Sequence, residues 1–330
     1  MSNEPTTLQE AIIYFKDADN CLKYLVARRW PDGVVVCPTC GRKNPHYNAE
    51  RKVWVCSIKH EKRQFSVKLG TIFEDSPLGL DKWLPAVWLL SNCKNGISSF
   101  EIGRDLGVTQ KTAWFMLGRI RLALQDDFTG GNLNGEIEVD ESFIGGKVRN
   151  MHKGRRIRAQ KDSVLGDKSV VLGILERASH GKQKRIRTSI LNDRKKSSIQ
   201  PEVAAHVEKG AKIMSDEWAE KWRMDERFEH QMVDHLATYV DGNVHTNGLE
   251  NFWSLLKRGL GGTYISVEPF HLFRYVDEQA FRFNNRKHAD GEPMTDAQRF
   301  DIAVRQAIGR RLTWKELTGK ESPTQAETAF

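Results

Sequence analysis

Residues 30 to 70, WPDGVVVCPTCGRKNPHYNAERKVWVCSIKHEKRQFSVKLG, consist of short β-like pieces and turn residues with almost no apolar material for a core. Such a stretch folds only if something other than burial holds it. Cys37 and Cys40 form a C-x2-C knuckle in CPTCG, and after fifteen intervening residues Cys56 and His60 form a second in CSIKH. Two tight turns, each presenting a pair of soft or borderline ligands, match the demand of tetrahedral zinc, which then replaces the missing core. His46 is an alternative fourth ligand. With all four positions filled by protein, Zn2+ here is structural and has no open position for catalysis. The five cysteines are an odd number in a chain of 330 residues, so no disulfide framework is expected, and Cys21 and Cys93 read as core residues.

The rest of the chain is organised around this zinc ribbon. Residues 1–29 form an N-terminal helical segment in which Ile12, Ile13, Phe15, Leu22 and Leu25 line one face. Residues 78–125 are helical, and short β runs follow from Asn132: EIEVDESFIGG, SVVLGILER, RIRTSILN and AKIMSDE. A catalytic domain is expected over 130–300, with a C-terminal helix and a disordered polar tail over 301–330. Lys and Arg number 51 against 43 Asp and Glu, giving a net charge of +8 and a pI near 9.2, which favours a polyanionic partner such as nucleic acid over a metabolite. No apolar run approaches the ~18 residues of a membrane span, and no signal peptide opens the chain, so a cytoplasmic, nucleoid-associated location is expected.

In NGISSFEIGRDLGVTQKTAWFMLGRIRLAL, Ile97, Ile102 and Leu106 give a first helix its apolar stripe, Gly107 makes a turn and Thr109 caps a second helix. This is a helix-turn-helix pattern. Gln110, Lys111 and Thr112 would meet base edges, Arg119 and Arg121 would meet phosphates, and Ala113, Trp114 and Leu117 would pack inward.

Asp140 stands in GEIEVDESFIGGK where the apolar alternation of Ile137 and Val139 stops, and Asp216 ends the short strand of GAKIMSDE. A third acid, Glu250, lies on the helix of VHTNGLENFWSLLKRGLGG, with Lys257 seven residues later, nearly two turns on and therefore within roughly 20° of it. Three carboxylates converging at a sheet edge are hard oxygen ligands for Mg2+ or Mn2+. Lys257 on the same helical side would hold a phosphate. The insert GKVRNMHKGRRIRAQKDS, between the first two of these strands, is either a solvated loop or a surface against DNA phosphates.

The succession of zinc ribbon, helix-turn-helix, IEVDESFIGGK, SDE, HTNGLENFWSLLKRGLGGTY and FRFNNR resembles the DDE transposases of bacterial insertion sequences that carry an N-terminal zinc ribbon, over roughly residues 30 to 290. The resemblance implies an α/β catalytic domain of RNase H-like fold, a mixed five-stranded sheet flanked by helices. It assigns the catalytic set to Asp140, Asp216, Glu250 and Lys257, with Asn247 and Asn251 as alternatives for the third position because some relatives carry asparagine there. Glu141, beside Asp140, points across the strand to the other side.

The implied reaction is DNA cleavage at the element's ends and strand transfer into target DNA. Asp140 would bridge two Mg2+ ions, and Asp216 and Glu250 would hold one each. The partners would be double-stranded DNA, as terminal inverted repeats and as target, and a second copy of the chain or a higher oligomer. The rivals are a DNA-binding protein without catalysis and an RNase H-like nuclease that cuts without joining.

Overall fold

The computed structural model describes residues 4–126, 131–145, 168–179, 181–216, 227–233 and 245–320, the side chains of 216, 232 and 233 excepted. The basic insert and residues 321–330 of the C-terminal tail lie outside the described residues. Two compact units are present, one formed by 1–125 with 295–330 and the other by 126–294. No described helix is long and apolar enough to cross a membrane.

The first unit begins with two helices rather than one. Asp17 interrupts the pattern and caps the second, so that α1 (Leu8–Phe15) and α2 (Ala18–Arg29) are separate. The buried face consists of Ala11, Phe15, Cys21, Tyr24 and Leu25, whereas Ile12 and Ile13, expected inside, are exposed. The three short antiparallel strands β1 (His46–Asn48), β2 (Val53–Val55) and β3 (Gln64–Phe65) follow. They bury little beyond Trp54 and Phe65, and Trp54 meets Trp30, Tyr47 and Phe65. Helix α3 (Leu80–Asn92) supplies the core of the unit through Trp83, Leu84, Val87, Trp88 and Leu90. Helices α4 (Ser99–Leu106) and α5 (Gln110–Ala123) are joined at Gly107, whose left-handed φ of 63° permits the sharp turn. Ser98 and Thr109 cap them.

The second unit is a five-stranded sheet in the order β6-β5-β4-β7-β8. Its strands are β4 (Glu136–Ile144), β5 (Ser169–Glu176), β6 (Arg185–Leu191), β7 (Lys212–Asp216) and β8 (Glu229–Val233). The β4–β5–β6 portion is antiparallel, and β7 and β8 continue parallel to β4. Alternation along each strand divides the sheet's residues between two cores. On one face Ile137, Val139, Leu172, Ile174 and Ile213 pack with Ile199 and Val203 of α6 (Lys196–His206). On the other, Val171, Leu175 and Ile186 pack with Leu249, Phe252 and Trp253 of α7 (Asn247–Gly259) and with Val276 and Phe283 of α8 (Leu272–Asn284). The next helix, α9 (Asp296–Gln306), expected to straddle the end of the catalytic domain, belongs to the first unit, where Phe300 meets Phe15, Tyr24 and Trp88. The short α10 (Trp314–Leu317) also lies there.

Candidate metal, DNA and catalytic sites

The ligand atoms of Cys37, Cys40, Cys56 and His60 all lie within 4.8 Å of one another. Cys37 Sγ is 3.4 Å from His60 Nε2, and Cys40 Sγ is 3.5 Å from Cys56 Sγ. Zn–S bonds of ~2.3 Å and Zn–N bonds of ~2.0 Å separate ligand atoms by about 3.5–3.8 Å in a tetrahedron, so the cluster has the size and the donor set of a structural zinc site. His46, on exposed β1, is not in the cluster.

At the start of α5, Gln110 and Lys111 are exposed and Thr112 is half-buried. Gln110 Nε2 donates to Ser99 Oγ at 2.9 Å, and the Lys111 ammonium lies 5.0 Å from the Trp314 ring centroid. Arg119 and Arg121, expected at phosphates, are instead buried, 5% and 3% exposed. Arg119 donates to the carbonyls of Leu312, Ile72 and Glu74 at 3.0, 2.9 and 2.6 Å. These carbonyls come from two distant segments of the chain. Arg119 is therefore an internal staple of the first unit, and burial lowers its pKa from the ordinary arginine value.

In the second unit, Asp140 pairs across the sheet with Gly173 of β5. A Cβ at Gly173 would come within 2.8 Å of side-chain atoms of both Leu249 and Trp253. Its absence lets α7 settle on the strand, and Trp253 Nε1 then donates to Asp140 Oδ2 at 2.8 Å, while the Glu141 N–H donates to Oδ1 at 2.8 Å. Parallel pairing of β4 with β7 runs Glu136 to Lys212, Ile137 to Ile213 and Glu138 to Met214. Asp140 and Asp216 each follow two residues beyond the last of these pairs on their own strands. Glu141 faces the other way and is tied to Arg194 by a short ion pair, which matches its expected orientation.

Helix α7 is anchored from outside itself. Thr246, at its N-cap, makes no side-chain cap bond; instead the buried Glu138 accepts from the Leu249 N–H at 2.9 Å. Glu138 also accepts from Arg177 Nε at 2.8 Å, and Arg177 donates to His245 Nδ1 and to the His245 carbonyl at 2.8 and 2.6 Å. His245 thus belongs to the anchor. Taking about 100° per residue, Glu250 and Lys257 lie about 60° and 40° round the helix from Trp253, whereas Asn247 and Asn251 lie about 120° and 160° away. Glu250 and Lys257 are exposed, and neither side chain makes a hydrogen bond or ion pair with a described residue.

Residues 132–284, nearly all of the second unit, match the family model of the ISXO2-like transposase domain, and residues 16–58 match the transposase zinc-ribbon domain. Together the matches span more than half of the chain. The chain thus carries an ISXO2-like transposase domain behind a transposase zinc ribbon. A protein of Halobacterium salinarum, described as an uncharacterized protein in transposable element ISH50, is 26% identical over 242 residues, or 70% of this chain and 79% of that one. No solved structure matches. The transposase-domain match contains Asp140, Asp216, Glu250 and Lys257, and the zinc-ribbon match contains the three cysteine ligands but stops before His60.

Three residues around Asp140 and α7 are not singled out in the sequence. Trp253 looks like one more apolar core residue, yet its indole N–H is what meets Asp140. Glu138 looks like the polar side of an alternating strand. Gly173 does leave a signal, because a glycine within the apolar run SVVLGILE marks a close approach.

Proposed function

We propose that this transposase is an RNase H-like DDE enzyme that binds the ends of its insertion sequence and cuts and joins DNA at Asp140, Asp216 and Glu250. The observation that carries the reading is the Trp253–Asp140 hydrogen bond over Gly173. It ties the strand of the first aspartate to the helix bearing Glu250 and Lys257, on the arc next to Trp253. The mixed sheet with helices on both faces, and the place of Asp140 and Asp216 on the adjacent strands β4 and β7, support the same reading.

Three carboxylates form the hard-oxygen donor set suited to Mg2+ or Mn2+, which when bound would activate the attacking hydroxyl and stabilise the leaving oxygen by a two-metal mechanism. The chain itself orients these groups. Trp253 and the Glu141 N–H fix the Asp140 carboxylate, so its orientation is set before substrate arrives. Lys257, exposed and without an anionic partner among the described residues, is available to a DNA phosphate. The α4–α5 pair would act as the helix-turn-helix, presenting Gln110, Lys111 and Thr112 to base edges, with the zinc ribbon in the same targeting role. Joining two DNA ends requires at least two copies of the chain.

The test is incubation with Mg2+ and duplex DNA carrying the sequences that flank the protein's own gene, followed by strand-resolved electrophoresis. Nicked and joined products are expected. Nicks without joining would reduce the enzyme to a nuclease, and binding without either product would leave a DNA-binding protein.

A further inference from the structure

An open cleft of about 1150 Å³ lies on the other side of α7, between the β5–β6 turn and the residues that follow α8. Its rim includes Asn251, one residue from Glu250 but on the edge of the helix remote from Trp253. Four cations line it, Lys182, Lys184, Arg286 and Lys287, against a single aspartate, Asp290. Lys182 is held by the Asn134 side chain. The other three make no side-chain hydrogen bond or ion pair with any described residue. Lys184 and Arg286 share one ring, with Phe283's centroid 5.3 Å from the ammonium and 5.9 Å from the guanidinium.

Gathering like charges without counter-charges is unfavourable by Coulomb's law, and more so where solvent is partly excluded. At Lys184 this repulsion is the smaller of the effects. Burial lowers its pKa from the ordinary lysine value, Glu138 opposes the shift, and Arg177 and Arg286 add to it by repulsion. An external anion would relieve all three unpaired cations at once. The cleft exceeds the ~300–1,000 Å³ typical of small-molecule pockets and is open, which suits a chain of phosphates better than one small anion.

We propose that the cleft walled by Lys184, Arg286 and Lys287 binds the phosphodiester backbone of the DNA strand flanking the scissile position, so that α7 stands between a strand-holding groove and the carboxylates. This rests on the proposed DNA-cleaving function. It also gives a use to the FRFNNR segment. Asn284 clamps the edge of β6, accepting from the Ile186 N–H at 2.7 Å and donating to its carbonyl at 3.0 Å, and this clamp sets Arg286 and Lys287 at the cleft.

The experiment compares the full chain with Arg286→Gln/Lys287→Gln, and with Lys287→Gln alone, by fluorescence anisotropy on end-containing duplex DNA from 50 to 200 mM salt. Both positions are exposed, so thermal melting should be unchanged. The double variant should bind at least about tenfold more weakly at low salt, and its slope of log affinity against log salt should fall by about 2, with the single variant falling by about 1. Unchanged affinity and slope in both variants would overturn the cleft while leaving cleavage by the wild type to decide the enzyme on its own. Variants that lose affinity beside a wild type that never nicks DNA would keep the cleft and sink the catalytic reading. If polyglutamate competes for the wild type and its binding alone depends on the two cations, the partner is an acidic protein and the DNA proposal is wrong.

Discussion

The two units use polar residues in opposite ways. In the first, polar groups are closed by the chain itself: four protein ligands surround the zinc position, and Arg119 directs its donors at three backbone carbonyls. In the second, groups of the same chemical types stand without a side-chain hydrogen bond or ion pair to a described residue, as Glu250, Lys257, Lys184, Arg286 and Lys287 do. A saturated group has no capacity left for substrate, so breaking it should cost fold. An unsaturated one contributes little to folding, so removing it should cost binding or chemistry. The distinction cannot be read from charge, because both units are rich in arginine and lysine.

The largest effect is expected where saturation is complete. Cys40→Ser should release zinc and unfold residues 30–70 while the second unit stays folded, since zinc binding in comparable small domains contributes on the order of 10 kcal/mol to folding. Zinc content by metal analysis and amide exchange resolved along the chain check it. Retention of one zinc per chain with normal protection in this segment would mean that the site is not closed by these four ligands.

Next comes the carboxylate set. Asp140→Asn should keep the fold, since an amide oxygen still accepts from Trp253, yet lower cleavage by at least on the order of 10³-fold, the scale of losing a principal transition-state stabiliser. Glu250→Gln should behave in the same way. Melting temperature and nicking rate are read together. A large loss of melting temperature with a proportionate loss of activity would move Asp140 to the saturated class and break the contrast.

Arg119 and Lys111 sharpen it, because both stand on α5 and both are candidates for DNA contact from sequence. Arg119→Ala should destabilise the first unit by about 2–3 kcal/mol, because buried carbonyls lose their donor. It should leave the salt dependence of DNA binding unaltered. Lys111→Ala should do the reverse, reducing the salt slope by about 1 with little change in melting. A salt slope that changes in Arg119→Ala and not in Lys111→Ala would invert the assignment.

How much of this was legible depended on whether a feature is local. The zinc ligands, the Thr109 cap, the Gly107 turn and strand β4 follow from short-range spacing, and all are present. The acids Asp140 and Asp216 stood out because hydrophobic alternation ends beside them. Strand β8, EHQMV, has no apolar alternation and gained its place only from pairing with β7. The return of α9 and α10 to the first unit is long-range packing around Phe300 and Trp314, invisible to periodicity. The burial of Arg119 is long-range too, since its acceptors lie 45, 47 and 193 residues away. Glu138 sits in a local pattern that reads as ordinary strand, and only the approach of α7 gives it its meaning.

The smallest effect tests whether a saturated group inside the second unit behaves as its counterparts in the first. His230 on β8 shares a 2.6 Å hydrogen bond with Ser215 Oγ of β7, and burial lowers its pKa below the ordinary histidine value. His206, at the end of α6, is lowered as well, by burial first and then by Arg187, with Glu202 opposing. A histidine depressed in the folded state is held neutral there, while the unfolded chain takes up its proton near pH 6.5. Between the folded and unfolded values the unfolded state therefore binds more protons, so stability rises with pH and is lost as pH falls from about 6.5 through the folded values. Urea denaturation of the second unit at pH 7.5, 6.5 and 5.5 should show the midpoint drifting down toward acid. His230→Gln, which can still meet the Ser215 hydroxyl, should flatten part of that drift. Neither change should alter the salt slope of DNA binding at pH 7.5, because a neutral, internally bonded imidazole has no charge to give a phosphate. A midpoint independent of pH in the wild type would mean that these two histidines are not held neutral in the fold.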